Sequence, residues 1–346
     1  MRENAISLLQ AGGFIPAMPL VLDENRSFDE EGQRRLIRYY LNAGADGIAA
    51  CVHTTQFEIR LPEHNLFKCV LSVCADEISR FEKENGRTVI KIAGVCGQIE
   101  QAVSEAALAR SLGYDCVLLS PGGLGVFDEE YLILRTQKTA EILPVVAFYL
   151  QTAVGGRIFT SDYWEKICGI QNVVAVKCAA FNRYFMLDVA RAIANADHKI
   201  ALYTGNDDNI VIDLLTEFSF GEKSVRCVGG LLGHWAVWTH TAVRLFREIK
   251  KVHASESVPA SLISLASKVT DANGAFFDVH NDFKGCIVGV HEVLRRQGLM
   301  RGIWCLNPEE TLSPGQKEEI DRVYTLYPEL NDDAFVKEFL ERDKES

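Results

Sequence analysis

Several familiar signatures are missing from this chain, and each absence removes a class of function. The ten cysteines, from Cys51 to Cys305, include no Cys-x-x-Cys pair and no zinc spacing. Several lie inside apolar strand candidates, where a thiol behaves as a small hydrophobe, so they are expected to be reduced packing residues. There is no His-Glu-x-x-His, and Asn206-Asp207-Asp208-Asn209 lacks the central glycine and terminal glutamate of a calcium loop. Neither a metal nor an organic cofactor is expected. Basic residues do not dominate: 36 Lys and Arg stand against 47 Asp and Glu, a net charge of −11. That balance argues against nucleic acid and against an anionic membrane as partner. No apolar run approaches the ~20 residues of a membrane span. The start, Met1-Arg2-Glu3-Asn4-Ala5, has no signal-peptide core, so a cytoplasmic location is expected.

The 346 residues, 48% hydrophobic and 24% charged, have the composition of an average globular protein with a large core. The order of segments is regular. Apolar strand candidates begin at Phe14, Gly47, Thr88, Cys116, Val145, Asn172, Lys199 and Ser224, and helical spacing fills the intervals between them. Ser27 is read as the cap of the first helix, which Gly44 stops, and Ser161 as the cap of the helix before strand six. A helix is expected from about Ile210 to Phe218. Eight strands alternating with helices every 25 to 30 residues imply parallel βαβ units closed into an α/β (β/α)8 TIM barrel. A doubly wound open sheet is weaker, because no Gly-x-Gly-x-x-Gly follows the first strand, and Gly122-Gly123-Leu124-Gly125 comes after the fourth with the wrong spacing. Beyond Val252 the pattern is helical only. The expected division is a catalytic barrel over residues 1–252 and a C-terminal helical extension over 253–346, packing on the barrel or mediating assembly.

Chemistry in such a barrel gathers at the carboxyl ends of the strands. The polar residues there are Thr54 and Thr55 after strand two, Tyr149 on strand five, Lys177 on strand six, and Asp207 with Asp208 after strand seven. Lys177 ends the run Val173-Val174-Ala175-Val176. Its ammonium either snorkels to water along its own stem or sits in a dry pocket. In a pocket, desolvation lowers its pKa and frees the amine to attack a carbonyl. The other positions have structural alternatives too: threonines that cap a loop, a tyrosine in the core, aspartates that cap the next helix. Their convergence on one rim favours catalysis.

With these residues the chain resembles the dihydrodipicolinate synthase / N-acetylneuraminate lyase family of class I, Schiff-base-forming aldolases, as a divergent member. That family carries a Gly-Thr-Thr-Gly-Glu loop after strand two, a Tyr-Asn-x-Pro segment on strand five and a Schiff-base lysine on strand six. The corresponding stretches are His53-Thr54-Thr55-Gln56-Phe57, Pro144-Val145-Val146-Ala147-Phe148-Tyr149-Leu150 and Val174-Ala175-Val176-Lys177, within a likeness spanning roughly residues 14 to 300. The resemblance implies a barrel with a helical extension, usually a homotetramer. It also implies that Lys177 forms an imine with the keto carbon of pyruvate or a longer 2-keto acid. Thr54 and Thr55 would hold the carboxylate, and Tyr149 would shuttle the proton. Gly205-Asn206-Asp207-Asp208 is similar to the acidic loop that binds substrate hydroxyls in the lyase branch.

The departures are specific. Gly122-Gly123 replaces the paired tyrosines of the synthase branch, and Val154 stands where that branch places a carboxylate-binding arginine. A true dihydrodipicolinate synthase is therefore not expected. His53, Gln56 and Phe57 replace glycines and an acid, with His53 either a structural residue or one that binds substrate and moves protons. The expected function is a Schiff-base lyase, aldolase or dehydratase, acting on pyruvate or a 2-keto-3-deoxy sugar acid. Its expected partners are the 2-keto acid, an aldehyde and further copies of itself, as a dimer or tetramer. The alternative is a non-catalytic 2-keto acid-binding protein on an aldolase scaffold. A metal-dependent aldolase ranks third, for want of any visible ligand cluster.

Overall fold

The computed structural model describes residues 2–255 and 257–344. The strands are β1 (Phe14–Pro16), β2 (Gly47–Ala50), β3 (Ile90–Val95), β4 (Cys116–Leu119), β5 (Val145–Leu150), β6 (Val173–Ala179), β7 (Ala201–Thr204), β8 (Glu217–Phe220) and β9 (Lys223–Leu232). All but β8 pair in parallel, in the order β1-β9-β7-β6-β5-β4-β3-β2. The two ends of that order meet at a parallel bridge between Ala17 and Ala49. This is the expected eight-stranded barrel.

The helices are α1 (Glu3–Ala11), α2 (Glu30–Ala43), α3 (Phe67–Asn85), α4 (Ile99–Ser111), α5 (Glu129–Ala140), α6 (Ser161–Cys168), α7 (Arg183–Asn195), α8 (Ile210–Leu215) and α9 (Thr239–Val252). Beyond them lie α10 (Ala260–Phe276), α11 (Cys286–Arg296), α12 (Gln316–Leu326) and α13 (Asp333–Asp343). No helix among the described residues is long and apolar enough to cross a membrane. All ten cysteines are free, and most are buried.

Strand periodicity sorts the apolar residues into two layers. Val146, Phe148 and Leu150 of β5 point into the barrel with Ile92 of β3 and Leu118 of β4. Their neighbours Val145, Ala147 and Tyr149 join the larger layer between the strands and the surrounding helices. On β6, Ala175 and Ala179 face inward on either side of Lys177, whereas Val176 and Cys178 face outward.

Some local expectations shift by a residue or two. The cap of α2 is Asp29, whose Oδ1 accepts from the N–H of Gly32 at 2.9 Å. Ser27 lies too far upstream for its hydroxyl to reach the first turn. The cap of α6 is Thr160 rather than Ser161, accepting from the N–H of Tyr163. Helix α8 stops at Leu215, and Glu217–Phe220 instead forms an antiparallel hairpin with β9. The strand β9 also continues through Gly229-Gly230 to Leu232. Helix α1 escaped the sequence reading because only Ala5 and Leu9 are buried on it, too narrow an apolar stripe to recognise. Leu9 enters the barrel from the amino-terminal end of the strands, and its carbonyl accepts from the Tyr203 hydroxyl at 2.6 Å.

The carboxyl-terminal helices are tied to the barrel through a buried carboxylate. Asp332 accepts from the Tyr39 hydroxyl of α2 at 2.6 Å, from the N–H of His240 on α9 at 2.8 Å and from Nε2 of Gln297 at 2.7 Å. A buried acceptor serving three donors is costly to remove, because each donor is left without water. Asp332→Ala should lower stability in urea unfolding by roughly 2–4 kcal/mol. Lys268→Ala, which breaks a half-exposed pair with Glu329, should change it by less than ~1 kcal/mol.

Candidate active site

Lys177 stands on β6 in register with Phe148 of β5 and Tyr203 of β7. Its side chain is only 9% exposed, and its Nζ lies 4.3 Å from the centroid of the Phe148 ring. Among the described residues the nitrogen makes no hydrogen bond or ion pair; it borders a cavity of about 790 Å³ including the mouth, at the carboxyl end of the barrel. Burial lowers the pKa of the amine, and the nearby Asp207 carboxylate only partly opposes this. The ring face of Phe148 favours a cation as well, but more weakly than lost hydration disfavours it. The sequence alternative of a solvated edge lysine does not hold.

The stem of Lys177 needs the absence of a side chain at Gly205. A Cβ there would stand 2.5 Å from Cε of Lys177 and 2.9 Å from Cβ of Ala179. The loop after β7 is held by Asp213, a fully buried carboxylate on α8. Asp213 accepts from the Thr204 hydroxyl at 2.6 Å and from Nδ2 of Asn206 at 2.8 Å, and pairs with Arg183. Oδ1 of Asn206 in turn accepts from the N–H of Phe181 at 2.9 Å, which fixes the loop after β6. One carboxylate thereby braces both loops that flank Lys177.

Asp207 faces the same cavity, half-buried, with Oδ1 accepting from the N–H of His234 at 3.0 Å. Burial raises its pKa, against the pull of that N–H and of Lys177. Asp208, expected beside it, is exposed and lies outside the cavity lining; its backbone carbonyl accepts from the Thr270 hydroxyl. Nor does Asp208 cap the next helix, since Asn209 occupies that position.

The two threonines part company. Thr54 borders the cavity, with its hydroxyl donating to the carbonyl of Ala17 at 2.9 Å. Thr55 is fully buried away from it. Its hydroxyl donates to the carbonyl of Met18 at 2.6 Å and accepts from the N–H of Val52, while its own N–H donates to the carbonyl of Val52. Every donor of Thr55 is thus engaged in shaping the turn, and it does not join the cavity wall. The turn carries two non-glycine residues at positive φ, Cys51 at 59° and Gln56 at 66°. Gln56 holds a glycine's place in the family loop, secured where its Oε1 accepts from the N–H of Leu306 at 2.6 Å. His53 lines the cavity near Phe57, and burial together with Lys177 lowers its pKa, keeping the imidazole neutral.

Tyr149 is not in the site. Strand parity turns it outward, where its ring stacks on Trp164 at 5.3 Å between centroids and its hydroxyl accepts weakly from the N–H of Phe159 at 3.4 Å. The residue of β5 that meets Lys177 is Phe148, which has no proton to give. The structure therefore gathers Lys177, Asp207, Gly205, His53 and Thr54, and leaves out Tyr149, Thr55 and Asp208. Ser120 and Gln151 also border the cavity, as do Phe277, Phe283 and Cys286 from the carboxyl-terminal helices and their connection. Counting alternate residues along β5 from Val146 would have found Phe148. No local pattern marks the three residues that arrive from 100 positions downstream. Among the described residues no group of three metal-ligating side chains converges.

The model of the dihydrodipicolinate synthetase family matches residues 10–325. An uncharacterized DapA-like lyase of Rhizobium meliloti is 26% identical over 195 residues, which are 56% of this chain and 61% of that protein. A 4-hydroxy-tetrahydrodipicolinate synthase of Lachnoclostridium phytofermentans is 26% identical over 192 residues, 54% of this chain and 61% of that one. The chain thus spans about three fifths of the length of these curated relatives. The fold is shared with N-acetylneuraminate lyase from Fusobacterium nucleatum, at a TM-score of 0.69, 18% identity and coverage of 92% and 99% of the two chains. It is shared as well with YagE of Escherichia coli K12, solved with pyruvate, at a TM-score of 0.74, 16% identity and coverage of 92% and 98%.

The contact between Gly205 and Lys177 is open to test. Gly205→Ala should force the lysine stem aside and lower stability by ~1–3 kcal/mol. Gly125→Ala, whose added methyl meets nothing within 4 Å, should leave the melting temperature unchanged.

Proposed function

Since the chain belongs to the dihydrodipicolinate synthetase family, we propose that it is a Schiff-base lyase in which Lys177 condenses with the keto carbon of pyruvate or a longer 2-keto acid. The observation that carries this reading is the buried amine of Lys177, unbonded at the cavity wall and pushed toward its neutral form. A neutral amine has the lone pair that addition to a carbonyl requires. Addition gives a carbinolamine; loss of its hydroxyl as water leaves a protonated imine. That cation accepts the electron pair of an adjacent bond, so a carbon–carbon or carbon–oxygen bond beside it breaks, or in reverse forms.

Proton transfer in these steps falls to Asp207, with His53 as the second titratable group at the wall. Asp207 suits the task because its raised pKa lets it exchange a proton near neutrality. The phenol expected on strand five cannot act, being turned into the helical layer. Thr54 is the remaining member of the threonine pair able to meet the substrate carboxylate. The absence of an arginine clamp, with Val154 in its place, speaks against dihydrodipicolinate synthesis. The relatives' lyase chemistry and the homo-oligomer expected from the resemblance belong to the same proposal; light scattering in solution tests the latter.

One observation favours a second reading. Phe148 in place of the strand-five phenol is also what a protein that binds a 2-keto acid without turning it over would carry. Trapping separates the two. Sodium borohydride with pyruvate should leave a 1-carboxyethyl group on Lys177, seen by peptide mass spectrometry and absent from Lys177→Met. An unmodified lysine contradicts the imine. The rate of trapping should rise with pH as the amine loses its proton, and level off well below the ordinary lysine pKa of ~10.4. Asp207→Asn should keep the trapped adduct but lower kcat by ~100-fold or more. Pyruvate binding that survives Lys177→Met, with no turnover of any aldehyde, would establish the binding protein instead.

A further inference from the structure

We propose that the carbonyl compound joined to or released from the imine is an uncharged, ring-bearing apolar aldehyde, in place of a polyhydroxylated or anionic one; this rests on the Schiff-base reading of Lys177. Five phenylalanines face the cavity: Phe57, Phe148, Phe181, Phe277 and Phe283. They come from four separate parts of the chain, so no single local motif accounts for an aromatic enclosure. Leu118, Leu150 and Val154 are among the aliphatic residues that extend the apolar wall.

Two of these rings are held in place at a conformational cost. Phe181 and Phe283 pair edge to face, with centroids 6.0 Å apart and planes at 84°. Both have left-handed backbone, φ 50° and 63°. A bulky residue adopts that region only where its surroundings overrule its preference, as happens at ligand clamps. For Phe181 the restraint is the bond from its N–H to Oδ1 of Asn206. For Phe283 it is the 3.1 Å bond from its N–H to the carbonyl of Asp278, itself at φ 57°.

Six polar side chains border the cavity, His53, Thr54, Ser120, Gln151, Lys177 and Asp207, and three of them are already engaged. The Thr54 hydroxyl donates to the carbonyl of Ala17, Ser120 Oγ accepts from the N–H of Gly122, and Asp207 accepts from His234. A sugar chain bearing a hydroxyl on each carbon would exchange water for phenylalanine edges, leaving several groups unpaired. A ring loses nothing by that exchange and gains aromatic packing. Charge gives the same answer. Lys177 is the one lysine or arginine among the described lining residues, and the charge of its protonated imine already faces the carboxylate of the bound 2-keto acid, while Asp207 in its ionised form repels a second anion. A carboxylated aldehyde would have no second cation to meet.

The test uses the intact protein with pyruvate and three aldehydes: benzaldehyde, glyceraldehyde and succinic semialdehyde. Pyruvate consumption and borohydride trapping at Lys177 are followed in parallel. The expected result is a trapped adduct together with a kcat/KM for benzaldehyde ~100-fold above either competitor. Phe283→Ser should narrow that ratio by tenfold or more while trapping with pyruvate persists. Val154→Arg, which adds a cation without touching the aromatic pair, should raise use of succinic semialdehyde. A trapped adduct with glyceraldehyde or succinic semialdehyde preferred, or with none of the three consumed, overturns this proposal alone. No adduct at Lys177 overturns the Schiff-base reading and takes this proposal with it.

Discussion

The site depends on a missing methyl group. Lys177 can lie along the inside of the barrel because position 205 has no Cβ, and its Cε occupies the space a side chain there would fill. That contact keeps the amine against the ring of Phe148 and away from bulk water. Everything proposed about its chemistry follows from the resulting desolvation. An exposed lysine would be almost fully protonated at neutral pH and would not attack a carbonyl at a useful rate.

Holding Gly205 in place requires more than its own backbone. The loop that contains it is anchored by Asp213, a carboxylate with no solvent exposure that also gathers Thr204, Asn206 and Arg183. Through Asn206 the same anchor reaches Phe181 and so the aromatic side of the cavity. The electrostatics of the amine and the shape of the pocket around it share one support. On the opposite side, Gln56 links the threonine turn to Leu306, so the carboxyl-terminal segment braces the wall as well as contributing Phe277 and Phe283 to it.

Much of this was legible in the sequence, and what was not has physical reasons. Eight apolar runs at even spacing announced the barrel, since buried parallel strands leave little else that such a pattern can be. Lys177 stood out as a charge at the end of a buried run. Tyr149 was misassigned because adjacent residues of a strand differ only in the face they present, and matching a motif to within one residue does not distinguish faces. Thr55 looked identical to Thr54, but its hydroxyl is closed into the turn, donating to the carbonyl of Met18 and accepting from the N–H of Val52, which no local spacing reveals. The strand at Glu217–Phe220 was hidden by the helical spacing that precedes it. The aromatic wall was invisible for a different reason: its members are brought together by packing of the carboxyl-terminal helices on the barrel, which no local spacing encodes.

The titration of the Lys177 nitrogen can be followed directly. Labelling with a trace of acetic anhydride across a pH series, read peptide by peptide by mass spectrometry, reports the neutral fraction of every lysine amine in the folded protein. Lys177 should reach half of its limiting reactivity well below the ordinary lysine value of ~10.4, while the exposed Lys166, paired with Asp162, should not. A Lys177 profile that coincides with that of Lys166 would contradict the neutral, desolvated amine.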